Sequence, residues 1–336
     1  MGEEVKVFFR KRPFHTCDRN DKDILSMDKN IMVLDDNRPR IKQEVTQKKF
    51  RKHKNIVFIP DTTCNNELYG KHFQDDIDTF LTSKSNGLLL LAYGQTGSGK
   101  THTIMGTNEQ PGLLISYFKH LFKIIGNNTN ILLSCFEIYN ENVSDLINHK
   151  TKLKQWFSIL DHKNCYKISN LQDLDKYVKI INKNKVMGVS KINKNSSRSH
   201  TIYKIDVNSK SIIFIDLAGN ERSGVSVANN KLLIQEASNI NLSLFFLKEC
   251  IRALRERHKY IPFRGSKLTI VLRDIFQKGF NIRFIAALNP SVHQFHDTLD
   301  TIRYAISLSY SNLKQIELFE EDNPKKSVKD PLHRLH

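Results

Sequence analysis

Short runs of consecutive apolar residues recur along the chain and predict the strands of a buried sheet. The clearest run covers residues 88–92 and closes on Gly94, and similar runs lie at 131–138, 212–215 and 284–288. Mainly apolar runs of this length are typical of strands that are buried on both faces of a parallel sheet. Stretches with helical spacing separate them. The pattern therefore predicts an α/β fold with helices on both faces of a central sheet.

One amphipathic helix can be placed from the spacing alone. Between residues 240 and 254 an apolar residue recurs at every third or fourth position, which predicts one buried helical face. Lys248, Arg252 and Arg255 fall together on another face. A basic stripe of this kind is either an ordinary solvated surface or a binding site for an acidic partner, and the spacing does not separate the two.

Two segments differ from this pattern. Residues 35–54 are polar and strongly basic and begin with a turn signal, so we expect a protruding loop or hairpin there. Residues 313–336 are polar and include Asn323-Pro324, which favours a tail or the start of a linker. No heptad pattern is sustained along the chain, so nothing in it predicts a dimer and we expect a monomer.

Composition narrows the possible partners. The 336 residues carry a formal net charge of +17, which attracts nucleic acid, an anionic membrane or an acidic protein, although a lysine surplus can also be compositional. No apolar run approaches the ~18 residues of a membrane span, so we expect neither export nor membrane insertion. The five cysteines form no CxxC pair and no cluster with zinc-ligand spacing, which predicts free thiols in a reducing intracellular compartment.

The strongest chemical signal is a phosphate-binding loop. Residues 94–101, GQTGSGKT, satisfy the pattern GxxxxGK[ST] directly after a predicted buried strand. Glycines there let backbone N–H groups turn toward phosphate oxygens, and the following helix adds partial positive charge. Lys100 would meet the β- and γ-phosphates, and Thr101 would bind Mg²⁺. We therefore predict that the chain binds a nucleoside triphosphate with Mg²⁺.

Two later segments indicate how the protein would respond to a bound nucleotide. Residues 193–200, NKNSSRSH, bring together hydroxyls and a guanidinium, which can hold Mg²⁺ and a γ-phosphate. Asp216 ends a predicted strand as a Walker-B carboxylate, and Gly219 can bring its N–H to the γ-phosphate. Singly, such segments are usually a loop and a turn. Behind a phosphate loop they predict conformational switches.

Five segments resemble the kinesin motor domain in order and spacing: AYGQTGSGKTHTIMG, SCFEIYNENVSDLI, NKNSSRSH, DLAGNERSG and IPFRGSKLT. The resemblance runs from residue 5 to about residue 310, so we assign residues 1–312 to a motor domain. It implies a P-loop fold with a mixed, mainly parallel central sheet of eight strands and three helices on each face. It also implies ATP and Mg²⁺ as cofactors, and ATP hydrolysis that microtubules stimulate.

The resemblance also implies roles for individual residues. Ser197 would place its hydroxyl on Mg²⁺, and Ser196 would help to move the proton of the attacking water. Arg198 and Glu221 would form the salt bridge that closes the site, and Asp216 would reach the metal through water. The remaining nucleotide contacts would come from Arg10, Arg12, Pro13 and His102 around the adenine and from Gly94, Gln95, Thr96, Gly97, Ser98, Gly99, Lys100 and Thr101 around the phosphates.

Implied microtubule contacts lie on the long helix after the second switch, on the loop and helix that come after it, and on the basic loop at 35–54. The residues are Lys42, Glu44, Lys248, Glu249, Arg252, Arg255, Lys259, Arg264, Lys267 and Arg273, with Arg257 and His258 beside them. They include the basic stripe, and tubulin is acidic, so the binding interpretation of the stripe is now favoured. We then expect the protein on cytoplasmic microtubules, with the spindle a candidate location, and expect neither nucleic acid nor membrane as a partner.

Three features favour the kinesins that disassemble microtubule ends. Residues 10–13 resemble the RKRP opening of that class, and residues 248–250 reproduce its Lys-Glu-Cys segment. The basic second loop carries Lys42-Gln43-Glu44 where that class has Lys-Val-Asp. A cation and an acid are kept at the two ends of this triplet, while the apolar residue between them is replaced and the acid is one methylene longer.

The chain departs from the family pattern at three further positions. Asn220 stands where serine is usual, Leu242 where lysine is usual and Gly265 where an acid is usual. Because the change at Leu242 removes a cation and the change at Gly265 removes an acid, microtubule affinity stays open in sign. Our first hypothesis is an ATP-driven depolymerase. A motile kinesin and a low-turnover microtubule-binding protein are alternatives, and a nucleic-acid-binding P-loop protein is less favoured because no aromatic stacking platform accompanies the charge.

Overall fold

The computed structural model describes residues 5–15, 21–28, 30–35, 46–51, 55–83, 85–126, 130–148, 151–153, 165–187, 196–221, 231–309 and 321–324. The strands are β1 (Val5–Lys11), β2 (Leu25–Met27), β3 (Ile31–Asp35), β4 (Thr46–Arg51), β5 (Ile56–Ile59), β6 (Gly87–Tyr93), β7 (Ile131–Tyr139), β8 (Asn142–Asp145), β9 (Thr151–Lys152), β10 (Tyr166–Ile168), β11 (His200–Val207), β12 (Lys210–Asp216), β13 (Asn281–Leu288) and β14 (Glu321–Pro324). The helices are α1 (Asn65–His72), α2 (Gln74–Thr82), α3 (Lys100–Ile104), α4 (Leu113–Ile125), α5 (Leu171–Met187), α6 (Lys231–Arg255), α7 (Lys267–Gln277) and α8 (Phe295–Ser309).

The main sheet has the strand order β5-β1-β13-β6-β12-β11-β7-β8-β9, and β10 pairs with β7. The first five strands of this order are mutually parallel, and the pairings beyond β12 are antiparallel. All four predicted apolar runs are strands of this sheet, so the α/β class with a mixed central sheet is confirmed. The expected eight strands become ten in the described part of the chain, because β9 and β10 are short additions of two and three residues.

Helices cover both faces of the sheet. One face packs against α6, α7 and α8 through a core that includes Leu247, Leu272 and Ile302. The opposite face packs against the five helices α1 to α5. The expectation was three on each face. One additional helix arises because the chain between β5 and β6 forms two short helices on either side of the buried Phe73, whose ring centroid lies 4.7 Å from that of Phe8. The other is α3, which has only five residues.

A second, four-stranded sheet has the order β14-β4-β3-β2. Strands β3 and β4 form an antiparallel hairpin from Ile31↔Arg51 to Asp35↔Gln47, which fits the hairpin predicted around residues 35–54. Lys42, Gln43 and Glu44 lie outside the described residues. Residues 321–324, within the predicted tail, pair with β4 as β14. The domain boundary at residue 312 stays a prediction.

The amphipathic helix predicted from residues 240–254 is confirmed as part of α6. Its apolar positions Leu244, Leu247 and Ile251 are buried. None of the helices that the structure describes is long and apolar enough to cross a membrane. Cys64, Cys135, Cys165 and Cys250 form no disulfide in the described part of the chain, as predicted, and Cys17 lies outside it.

The order of the strands places two motifs together. Strands β6 and β12 are parallel neighbours, with Ala92 opposite Asp216 in the register. Their carboxyl ends therefore meet at one edge of the sheet, where open α/β sheets bind ligands. The phosphate loop leaves β6 at this edge, and the second switch segment, residues 216–221, leaves β12 beside it.

Candidate nucleotide site and filament-facing surface

The phosphate loop connects β6 to α3. Gly94 has a φ of 147°, and a Cβ there would lie 2.3 Å from the backbone oxygen of Ala287. Gly99 has a φ of 99° at the start of α3. A side chain would be strained at both positions and would clash at the first, which is why the tight turn needs glycine. The turn leaves a space in front of α3 that Lys100 and Thr101 border.

Lys100 lies at the base of this loop. Its Nζ donates to the backbone oxygens of Gly94 at 2.8 Å and Gln95 at 3.0 Å. Burial lowers the pKa of Lys100, while the charges of Asp216 and Glu221 raise it. A buried ammonium gains more from anionic oxygens than from neutral carbonyls. The lysine is therefore suited to exchange these carbonyls for phosphate oxygens.

Thr101 and Asp216 meet where a magnesium ion is predicted. Thr101 Oγ1 donates to Asp216 Oδ2 at 2.6 Å. The other carboxylate oxygen, Oδ1, is buried and has no hydrogen-bond partner in the described part of the chain. Such an oxygen is costly unless something donates to it, and protein-bound Mg²⁺ usually keeps several waters. The pair therefore fits a direct hydroxyl ligand and a carboxylate that acts through water.

Lys185 is a member of this site that no motif revealed. It lies on α5, and its Nζ is 3.9 Å from Asp216 Oδ2, with both side chains largely buried. Only the packing of α5 against the sheet brings the two charges together, so local sequence carries no signal for it. The lysine offsets part of the charge of a carboxylate that would otherwise be buried alone.

Two adjoining clefts lie on either side of His102. The first, of about 180 Å³, has in its lining the predicted adenine residues Arg10, Arg12, Pro13 and His102. The second, of about 240 Å³, is the predicted phosphate cleft, and its lining includes Thr96, Gly97, Gly99, Lys100, Thr101, Ser197 and Asp216. The predicted base and phosphate residues are thus brought together in the order in which a nucleotide would meet them.

Some predicted contacts point elsewhere. Gln95 directs its buried side-chain amide to Thr298 Oγ1 on α8 at 2.8 Å, away from the phosphate cleft. Arg10 Nη1 donates to Thr103 Oγ1 at 2.8 Å, and burial lowers the pKa of Arg10 to about 10. Its guanidinium therefore anchors α3 as well as lining the cleft. Ser98 lines the base cleft, and its buried Oγ has no hydrogen-bond partner among the described residues.

The predicted Arg198–Glu221 salt bridge gives way to two other contacts. Glu221 Oε2 accepts the backbone N–H of Thr96 at 2.9 Å, and the Thr96 hydroxyl donates to Oε1. Arg198 Nη1 lies 2.9 Å from Glu236 Oε2 on α6. N–H groups that are oriented to attract phosphate also attract a nearby carboxylate. Each switch segment is thus held by a partner other than the one expected. Glu236 is an additional residue of this site that no sequence motif predicted.

The two switch segments also touch through the backbone. The N–H of Gly219, predicted to meet the γ-phosphate, donates to the backbone oxygen of Ser197 at 2.7 Å. Ser197 lines the phosphate cleft near Asp216, as a ligand of Mg²⁺ should. The side chain of Ser196 lies outside the described part of the chain, so its role in moving a proton stays a prediction.

His200 connects the second switch segment to α6. Its Nδ1 accepts the backbone N–H of Ala218 at 3.1 Å, so Nε2 carries the proton and donates to Ser243 Oγ at 2.8 Å. Burial, followed by the charge of Lys100, lowers the pKa of His200 to about 3. Only the neutral ring can make both bonds. Its position at the end of the NSSRSH segment gave no sign of this role.

The basic stripe on α6 is less cationic than its spacing suggested. Arg252 is paired with Glu249 at 2.6 Å and with Glu256 at 3.1 Å. Arg255 is half-buried and donates to backbone oxygens at the end of α8, including that of Ser307 at 3.3 Å. Lys248 Nζ lies 5.5 Å from the centre of the Tyr304 ring. Periodicity correctly places these residues on one face but does not show that two of them are engaged within the protein.

Other predicted filament contacts lie beyond the end of α6. Lys259 and Arg264 are exposed, as are Arg257 and His258 beside them, and Lys267 begins α7. Arg273 is exposed and forms an ion pair with Asp274 at 3.0 Å. The cationic centre of this surface is therefore the segment 257–267 rather than the stripe on α6. Lys42 and Glu44 cannot be placed, because they lie outside the described residues.

A family model for the kinesin motor domain matches residues 10–310. The chain belongs to the kinesin family. It is 32% identical to kinesin-like protein KIF24 of Mus musculus over 90% of this chain and 24% of the relative. It is 32% identical to kinesin-like protein KIN-8A of Arabidopsis thaliana over 78% of this chain and 39% of the relative. It is 30% identical to kinesin-like protein KIN-13B of the same species over 98% of this chain and 51% of the relative. The chain thus spans between about a quarter and a half of these relatives.

Two departures from the kinesin pattern gain a structural account. A Cβ at Gly265 would lie 2.2 Å from ring atoms of Phe246, so this aromatic ring occupies the space of any side chain there. Leu242 and Phe245, one helical turn apart on α6, are 47% and 54% exposed. An exposed apolar residue, Leu242, therefore stands on α6 where the family pattern has a cation, and Phe245 extends the exposed apolar surface. This surface is partly apolar and partly basic.

Proposed function

We propose that this kinesin domain hydrolyses ATP, binds microtubules and uses the nucleotide cycle to disassemble their ends. The junction of Lys100, Thr101 and Asp216 beside the base cleft supports the ATPase most directly. Together they supply an ammonium for phosphate charge, a hydroxyl for Mg²⁺ and a carboxylate for the waters of the metal. Membership of the kinesin family supports the microtubule as partner.

Each residue of the site would have its own task. Lys100 would exchange its two carbonyl partners for phosphate oxygens. Thr101 and Ser197 would hold Mg²⁺ directly, and Asp216 would do so through water, while the metal would neutralise phosphate charge. Closure would move Glu221 from the phosphate loop to Arg198, and Ser196 would then help to take the proton of the attacking water.

Contacts between the switches and α6 offer a route from filament to nucleotide. Glu236 holds Arg198 of the first switch at 2.9 Å, and Ser243 holds His200 at 2.8 Å, which in turn holds Ala218 of the second. Both residues lie on α6, the helix that would face the filament. A shift of α6 on binding would therefore change the partners of both switches together, which is the coupling that microtubule-stimulated turnover requires.

End disassembly is proposed from the second loop. Residues 36–45, which separate β3 from β4 in the sequence, contain Lys42 and Glu44 and would form the tip of the hairpin. If the tip stabilises a bent protofilament, its contacts form only in the bent state. One or two charge-assisted hydrogen bonds, roughly 1.5 to 3 kcal/mol, then change the balance between straight and bent states at least tenfold.

The test is a double variant, Lys42→Ala with Glu44→Ala. The matched control is Glu67→Ala with Lys71→Ala, which removes an exposed Lys–Glu pair on α1, on the sheet face opposite α6. Shortening of stabilised microtubules and co-sedimentation are measured for both. We expect the loop variant to bind the lattice but lose shortening, and the control to match the parent. Equal shortening by parent and loop variant would exclude the loop, and a parent that glides filaments without shortening them would favour a motile kinesin.

A further inference from the structure

Asn220 makes a two-armed contact that fastens the second switch segment to the body of the domain. Its Nδ2 donates to Tyr93 Oη on β6 at 3.0 Å and to Thr301 Oγ1 on α8 at 3.0 Å. Thr301 Oγ1 donates its own proton to the backbone oxygen of Asp297 at 2.8 Å, so it can accept from the amide. One side chain therefore joins the switch to both a central strand and the last helix.

The contact extends to the filament-facing helix. The ring of Tyr93 is stacked on that of Tyr304, with centroids 4.3 Å apart and an angle of 15° between planes. Tyr304 Oη donates to the backbone oxygen of Leu244 on α6 at 3.1 Å. The side chains thus form a continuous path from Asn220 through two stacked rings to α6. Movement of α6 or α8 would change the hydrogen bonds of Asn220.

The contact belongs to one arrangement of the switches. Asn220 adjoins Glu221, which is bonded to Thr96 of the phosphate loop, while Arg198 is bonded to Glu236. Closure would take Glu221 away from Thr96, and a backbone shift of this segment would break the contacts of the neighbouring Asn220. The bonds of Asn220 therefore stabilise the open arrangement selectively, and contacts made in one of two states shift the balance by their energy in that state.

We propose that Asn220 is a positioning residue that holds the second switch open and thereby limits the basal rate of ATP turnover. This rests on the proposed ATPase function. The length of the amide makes the contact possible. The hydroxyl oxygen of a serine at this position would lie near the place of the Asn220 amide carbon. It would therefore fall short of Tyr93 Oη and Thr301 Oγ1 by about 1.3 Å, the length of a C–N bond.

The Asn220 amide is hydrogen-bonded through its nitrogen but not through its oxygen within the described part of the chain. Its Oδ1 is buried and has no hydrogen-bond partner among the described residues. Buried polar groups in a purely structural network are nearly always paired, and an unpaired one carries a cost.

The test compares Asn220→Ser with Asn86→Ser. Asn86 immediately precedes β6 at the end opposite Tyr93, and its amide donates to the backbone oxygen of Lys278 at 2.6 Å, so the control also removes an amide hydrogen bond. Basal and microtubule-stimulated phosphate release, affinity for a non-hydrolysable ATP analogue and thermal midpoint are measured. For Asn220→Ser we expect analogue affinity and basal turnover to rise about five- to tenfold, as the loss of one or two neutral hydrogen bonds gives. The ratio of stimulated to basal turnover should fall, and Asn86→Ser should match the parent.

Two further variants divide the contact between its arms. Tyr93→Phe keeps the ring stack and Thr301→Val keeps the shape, and each should raise basal turnover less than Asn220→Ser does. Adding Tyr93→Phe to Asn220→Ser should change nothing further. An active parent whose Asn220→Ser variant turns over at the same rate or more slowly would overturn this proposal alone. A parent that neither binds nor hydrolyses ATP would overturn the proposed function and this proposal with it.

Discussion

Lowering the pH from 7 to 5 should destabilise the folded protein through His200. The native ring is buried with a pKa of about 3, and its Nδ1 accepts the N–H of Ala218. An unfolded histidine has a pKa of about 6.5. Between these two pKa values the unfolded chain binds a proton that the native state does not. The contribution of His200 to the free energy of unfolding is therefore fully present above about pH 6.5 and decreases as the pH falls toward 3.

The magnitude comes from the same two values. A pH of 5 lies about 1.5 pH units below the pKa of the unfolded histidine. The unfolded ring is therefore protonated at this pH, while the native ring is still neutral. At about 1.4 kcal/mol per unit, the loss at pH 5 is about 2 kcal/mol. This range of pH lies above the ordinary pKa values of Asp and Glu, which limits the contribution of carboxylates. A loss of this size is a large part of the stability of an ordinary domain.

Urea unfolding followed by circular dichroism at pH 7, 6 and 5 measures the effect. The comparison is His200→Asn, because the asparagine oxygen can replace Nδ1 as acceptor for Ala218 but does not titrate. The parent should lose about 2 kcal/mol more than the variant between pH 7 and pH 5. Equal losses in the two proteins would refute the assignment of a buried neutral imidazole at this position.

Three other outcomes are expected from the site. Lys100→Ala should abolish microtubule-stimulated phosphate release and leave the thermal midpoint close to that of the parent, because its charge serves phosphate; a collapsed midpoint would make the lysine structural. Glu221→Ala should bind a fluorescent ATP analogue but fail to hydrolyse ATP, since Arg198 loses its partner for closure; hydrolysis at the parent rate would contradict this. Co-sedimentation with microtubules should weaken with salt, because exposed cations are screened over ~10 Å at 0.1 M ionic strength; a flat response would mean that apolar residues such as Leu242 and Phe245 carry the interface.

Local chemistry determines the features that the sequence predicts well. The strands β6, β7, β12 and β13 contain short, mainly apolar runs, which are typical of strands buried on both faces of a sheet. Gly94 and Gly99 are required by a turn that a side chain would prevent. Strands β9 and β10 have two and three residues, too few for any pattern, which is why ten strands stand where eight were expected.

The choice of partner is the feature that the sequence misses. Spacing places Arg252 and Arg255 on one face of α6 but does not reveal their partners. In the folded protein Arg252 is paired with two carboxylates, and Arg255 donates to backbone oxygens of α8. Lys185 reaches Asp216 from another helix for the same reason. Glu221 illustrates a second limit of prediction from sequence. A motif identifies the residues of a switch but does not say whether the switch is open or closed, and the partner of Glu221 would differ between these two arrangements.

ATP hydrolysis at Lys100 and its neighbours is proposed to drive the loss of tubulin from filament ends. Stabilised fluorescent microtubules incubated with the parent and ATP test this most directly, with Lys100→Ala beside it. We expect filaments to shorten from their ends with the parent and to keep their length with the variant. Filaments that glide, or that become decorated without shortening, in the presence of the parent and ATP would contradict the proposal.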